Sequence, residues 1–168
     1  MSLADKAVHY EIVKQFAVIT VDNPPVNALS YSVRKGLAMS LEEALENDDV
    51  SGIIITCSGR TFIAGADISE IGKPPGDPDL PELLEYLDAI EKPVMAVLHG
   101  TALGGGLETA LCCNYRISTP SARFGLPEVH LGLIPGAGGT QRLPRLIGIE
   151  KALAMVTSGN HIVSDEAL

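Results

Sequence analysis

Two hydrophobic periods take turns along this chain. Val8 to Val13 and Ala17 to Val21 are short β-rich runs parted by Lys14-Gln15, a pattern that predicts a hairpin. Asn23-Pro24-Pro25 then forces a turn. From Ser30, placed to cap a helix, Val33, Leu37, Leu41 and Leu45 recur every four residues, with Glu42, Glu43 and Glu46 left for the wet face. Gly52 to Cys57 (GIIITC) and Pro93 to Gly100 (PVMAVLHG) are unbroken apolar runs, as strands covered on both faces require. Between them lie a loop, Gly72 to Pro81, and a helical segment, Glu82 to Ile90. Further on come a helix-like run from Leu107 to Cys113, a strand at Tyr115 to Thr119, a run opened by Gly139-Thr140 and closing at Ile147, and a short helix from Glu150 to Thr157. Ser164 caps a helix that the closing residues SDEAL only begin. Strands alternating with helices predict an α/β layer with right-handed parallel crossovers.

Composition adds bounds to this picture. The 168 residues are 46% hydrophobic and 20% charged, which fits one globular domain or part of a larger one. A net charge of −9 argues against nucleic acid or an anionic membrane surface as partner, while leaving room for an anionic small ligand at local cations or helix N-termini. No apolar run reaches membrane-spanning length, and Met1 to Glu11 reads as neither signal peptide nor presequence. Cys57, Cys112 and Cys113 form no metal spacing and no CxxC pair; they read as buried small apolar residues in a reducing compartment, the cytoplasm.

Chemistry concentrates in three stretches. In ALGGGLETALCCN, Ala102 to Asn114, three glycines precede a helix-like run. A strand, a glycine loop and a helix together present free N–H groups at the positive end of a helix dipole, a device for holding phosphate or stabilising an oxyanion. The spacing is neither a P-loop nor GxGxxG, and close helix–strand packing explains the glycines equally well. Glu108 sits in the first turn, where a carboxylate suits the dipole, but apolar neighbours make it costly unless paired or used. Glu128, stiffened by Pro127, stands among Phe124, Leu126, Val129, Leu131, Leu133 and Ile134. Two carboxylates in apolar settings are equipment for general acid–base chemistry. The third stretch, Arg60 to Glu70 (RTFIAGADISE), offers small residues at Ala64-Gly65-Ala66, a turn or helix cap at Asp67, and in Arg60 either a phosphate partner or an ordinary surface cation. His99 and His130 have no second ligand at metal spacing and read as core or surface residues.

FIAGADISE, GTALGGGLETAL and FGLPEVHLGLIPGAGGTQRLPRLIG, with ITVDNPPVNALS upstream, resemble in order and spacing the crotonase superfamily, the enoyl-CoA hydratase/isomerase family. The likeness is strongest to hydratase domains of bifunctional β-oxidation enzymes. It implies an α/β fold with a crotonase-like ββα spiral core, residues 1–168 forming one such domain without the family's C-terminal helical region. It implies addition of water to a 2-enoyl-CoA through a thioester enolate, with Δ3-Δ2-enoyl-CoA isomerase or an inactive fragment as alternatives. Glu108 and Glu128 fall on the family's two catalytic positions. Ala66 and Gly105 fall on its oxyanion-hole donors, and Ala64, Ala66, Asp67, Ile68, Ser69, Gly104 and Gly105 on the substrate-binding stretch. Some relatives carry lysine where Ser69 stands, so one phosphate contact is missing. The resemblance implies an acyl-CoA thioester as partner, no metal, no cofactor beyond the coenzyme A of the substrate, and either a homo-oligomer (trimer or hexamer) or membership of a longer bifunctional chain.

Overall fold

The computed structural model describes residues 7–70, 72–74 and 76–167, so the reading of the first six residues as lacking a leader, and the place of Pro75 in the predicted loop, lie outside the described residues. Strands β1 (Val8–Val13) and β2 (Phe16–Val21) form the expected hairpin, closed at Lys14-Gln15 by a positive φ at Lys14. Strands β3 (Gly52–Cys57), β4 (Val94–Leu98) and β6 (Tyr115–Ser118) add to β2 in parallel, giving one five-stranded sheet in the order β1-β2-β3-β4-β6. The parallel crossovers are those the alternating pattern predicts.

Alternation in the strands sets the core. Ala17, Ile19 and Val21 of β2, Ile53 and Ile55 of β3, and Val94, Ala96 and Leu98 of β4 are buried together. Helix α1 (Tyr31–Glu46) covers them with Val33, Leu37, Leu41 and Ala44. Ser30 is its N-cap residue, but its hydroxyl lies 2.9 Å from that of Ser32 and caps no backbone N–H, which corrects the predicted cap.

Helix α2 spans Leu80–Asp88, two residues earlier than Glu82 to Ile90. The cause is a capping box: Asp79 accepts from the Glu82 N–H at 2.9 Å while Glu82 accepts from the Asp79 N–H at 2.8 Å. Helices α3 (Gly105–Cys112), α4 (Gly139–Ile147), α5 (Ile149–Ser158) and α6 (Ser164–Ala167) follow.

Three strands escaped the hydrophobic pattern. β5 (Thr101–Leu103), β7 (Arg123–Gly125) and β8 (Ile162–Val163) make a second sheet, β5 parallel to β7 and β7 antiparallel to β8. Strands this short carry too few residues to show a period. Their effect is large, because β5 inserts between β4 and the triple glycine and so sets where α3 begins. Cys57, Cys112 and Cys113 are buried free thiols, as predicted. Among the described residues no helix is long and apolar enough to cross a membrane.

Candidate active site

Each of the three glycines before Glu108 answers a different constraint. Gly104 has φ 50° and ψ −127°, a conformation that side chains strongly disfavour, and a Cβ on it would lie 2.9 Å from Glu128 Oε1. A Cβ on Gly105 would lie 2.7 Å from Leu80 Cδ2, 3.3 Å from Leu29 Cδ1 and 3.6 Å from the Ala66 nitrogen. A Cβ on Gly106 would run into the Ile63 carbonyl. The packing reading therefore holds for Gly106, while Gly104 and Gly105 keep open the space around Glu128 and Ala66.

The Glu108 carboxylate is enclosed and held. The residue is 2% exposed, and every residue of α3 is buried, as the apolar run around it implies. Its Oε1 accepts from the Ala137 and Gly139 N–H groups, each at 2.8 Å, where the Gly136 to Gly139 loop turns into α4. Burial pushes its pKa upward, while these two N–H groups and the Arg142 guanidinium pull the other way. Arg142 Nη2 lies 3.2 Å from Asp88 Oδ2 of α2, and its Nη1 reaches the Ala137 carbonyl at 3.4 Å.

Glu128 lies in a 3-10 turn, Pro127–Leu131, under different conditions. It is half-buried, and its Oε2 is shielded from solvent with no hydrogen-bond partner among the described residues. Burial raises its pKa; its own backbone N–H opposes this, and the charge of Glu108 adds to the rise. Of the six apolar residues predicted to surround it, only two are buried. Phe124 and Leu126 are buried, whereas Val129, Leu131, Leu133 and Ile134 face outward, Ile134 being 75% exposed. A 3-10 turn and the loop after it cannot put consecutive apolar residues on one inner face.

Ala66 and Gly105 come together with their N–H groups uncommitted: among the described residues neither donates to a protein acceptor. Gly105 is the first residue of α3, and the Gly104 carbonyl accepts from the Glu108 N–H at 2.9 Å. Carbonyl and N–H of one trans peptide point in opposite directions, so the Gly105 N–H leaves the helix at its positive end. Ala64 is half-buried. Asp67 turns the chain by accepting from the Ser69 N–H at 2.9 Å, and the Ser69 hydroxyl together with this N–H holds its carboxyl below the ordinary range. Ile68 and Ser69 are exposed beside it.

The structure thus gathers Ala66, Gly104, Gly105 and Glu128 by direct approach, with Glu108 in the first turn of the same helix. It leaves Arg60 exposed, and His130 is tied to the Ser158 carbonyl at 3.0 Å on the surface. A separate cavity of about 790 Å³, lined in part by Leu111, Arg116, Leu143 and Met155, includes neither glutamate. Sequence reasoning missed Ala137, Gly139 and Arg142 as supports of Glu108. Their signal was present in PGAGGTQR, a second glycine cluster directly before a helix, where free N–H groups suit a carboxylate.

Comparison with known proteins finds relatives along nearly the whole chain. The family profile described as enoyl-CoA hydratase/isomerase matches residues 11–168. A peroxisomal bifunctional enzyme of Danio rerio is 52% identical over 160 residues, 95% of this chain but 22% of that protein. A probable enoyl-CoA hydratase of Bacillus subtilis is 46% identical over 164 residues, 93% of this chain and 64% of that one. The crystal structure of an enoyl-CoA hydratase from Bacillus anthracis superposes with a TM-score of 0.89 at 34% identity, over 96% of this chain and 66% of that one. The chain therefore spans less than two thirds of the length of these curated relatives.

Proposed function

Because the chain belongs to the enoyl-CoA hydratase/isomerase family, we propose that it adds water across the 2,3 double bond of a 2-enoyl-CoA to give the 3-hydroxyacyl-CoA. The observation that carries this reading is the meeting of two unlike carboxylates with two free N–H donors. Glu108 has two N–H donors and a nearby guanidinium that favour its charged form; Glu128 has a shielded oxygen without a partner.

That asymmetry supports the following roles in this proposal. Ionised Glu108 takes a proton from water as its oxygen bonds to the β-carbon. The π electrons move toward the thioester oxygen, which the Ala66 and Gly105 N–H groups receive. Protonated Glu128 delivers its proton to the α-carbon. Donors fixed in advance need no reorganisation as charge develops, which is why they favour the transition state over the substrate. Acid, base and anion stabiliser all come from the chain, so the proposal includes no cofactor beyond the coenzyme A of the substrate.

Ala64, Asp67, Ile68, Ser69 and Gly104 line the approach for the acyl-CoA in this proposal. A homo-oligomer, or a place within a longer bifunctional polypeptide, also belongs to it. So does a cytoplasmic location, supported by three buried free thiols that suit a reducing compartment. The peroxisomal name is that of the Danio rerio relative.

The test is product analysis with a trans-2-enoyl-CoA and a 3-enoyl-CoA offered separately. Hydration predicts 3-hydroxyacyl-CoA from the first. Conversion of the second to the 2-enoyl isomer, with no hydroxy product from either, would favour the Δ3-Δ2-isomerase reading.

A further inference from the structure

Arg34 is 5% exposed, and a guanidinium this deep is costly unless each of its bonds is made. Its acceptors come from three separate segments. Nη1 donates to the Leu29 carbonyl at 2.8 Å and to Glu70 Oε2 at 2.8 Å, and Nε donates to the Pro78 carbonyl at 3.0 Å. The other oxygen of Glu70 accepts from the Tyr31 N–H at 2.7 Å, at the start of α1.

Those three segments surround the free N–H donors. Leu29 bridges to Ala66, and its N–H donates to the Gly65 carbonyl at 2.9 Å. Gly65 C=O and Ala66 N–H belong to one peptide plane and point opposite ways. Fixing the carbonyl on Leu29 therefore aims the Ala66 N–H away from Leu29 and into the site. Pro78 leads into α2, whose Leu80 side chain, with that of Leu29, walls the space at Gly105. Glu70 ends the 3-10 turn that follows Ala66 and Asp67.

We infer that Arg34, with Glu70 as its counter-ion, is a positioning residue that sets the direction of the Ala66 N–H; the inference rests on the hydratase reading above. It touches no reacting atom. It holds Leu29, Leu29 holds the Gly65–Ala66 peptide, and Glu70 ties the following turn to α1. A planar fork meets acceptors on three segments at once, which the point charge of a lysine does not.

A purely structural arginine would also lower stability when changed, so the test needs a signal from the donors themselves. A 3-ketoacyl-CoA serves as probe, because its enolate absorbs in the near ultraviolet and is favoured by the same two N–H groups. Arg34→Lys and Glu70→Gln are compared with the unaltered protein for thermal midpoint, probe binding, enolate fraction and the split between kcat and KM. The expected result is folded variants that bind the probe, with the enolate-to-ketone ratio and kcat down about 10- to 100-fold and KM changed by less than about threefold. Loss of thermal stability with an unchanged enolate fraction and kcat overturns the inference. Should Arg34→Lys fail to fold, Glu70→Gln, on the more exposed partner, carries the test alone. Unaltered, folded protein that forms no enolate at all overturns the hydratase reading instead, which keeps the two failures distinct.

Discussion

Gly104 stands against the carboxylate of Glu128, so close that a Cβ on the glycine would sit 2.9 Å from Oε1. The backbone there, at φ 50° and ψ −127°, already excludes a side chain at low energy. Gly104→Ala is expected to cost about 1–3 kcal/mol in strain and to displace Glu128, lowering activity per folded molecule by about 100-fold for a shift near 1 Å. Gly106→Ala meets the Ile63 carbonyl and Cβ, away from both glutamates, and should cost a similar roughly 1–3 kcal/mol by overpacking. Thermal melts combined with active-site-normalised rates separate the two variants.

The contribution of Glu108 and Glu128 to stability should fall as pH rises from the acidic side toward neutrality. Burial raises the carboxyls of both Glu108 and Glu128 in the folded protein, so the folded state binds more protons than the unfolded one across that window. The stabilising contribution is full below the ordinary carboxylate range and is lost as pH climbs through the raised values. Glu128→Gln removes one such group, so its plot of thermal midpoint against pH should be shallower than that of the unaltered protein. Parallel plots would contradict this.

Arg142 acts on Glu108 through charge and through the loop that holds it. Its guanidinium lowers the Glu108 pKa and is itself anchored by Asp88 at 3.2 Å. Arg142→Gln removes the charge, so Glu108 protonates at higher pH. Since the base must be ionised, the acidic limb of the kcat/KM profile should move to higher pH. Asp88→Asn leaves the guanidinium in place and should move it less.

Much of this was legible from residue pattern alone. The hairpin at Lys14-Gln15, the four-residue period of α1 and the apolar runs of β3 and β4 each follow from local hydrophobic order. The glycines before Glu108 marked the right place but not the reasons, because Gly106 answers to Ile63, Gly104 to Glu128 and Gly105 to Leu80, partners distant in sequence. The surroundings of Glu128 were misread for the same cause: Leu131 and Leu133 are apolar, yet the 3-10 turn and its exit turn them outward. The start of α2 is readable from the Asp79 to Glu82 capping box, whereas the loop signal that runs to Pro81 puts it two residues late, at Glu82. Arg34 gave no local signal, since its acceptors span Leu29 to Pro78.

The most direct test of the two-carboxylate site follows the loss of the enoyl-thioester absorbance of a short trans-2-enoyl-CoA with unaltered protein, Glu108→Gln and Glu128→Gln. All three are first shown to be folded and to bind the substrate analogue. The expected result is hydration by the unaltered protein and a fall of about 10²- to 10⁴-fold in kcat for each variant. Near-normal turnover by either glutamine variant would contradict the assignment of acid and base to this pair.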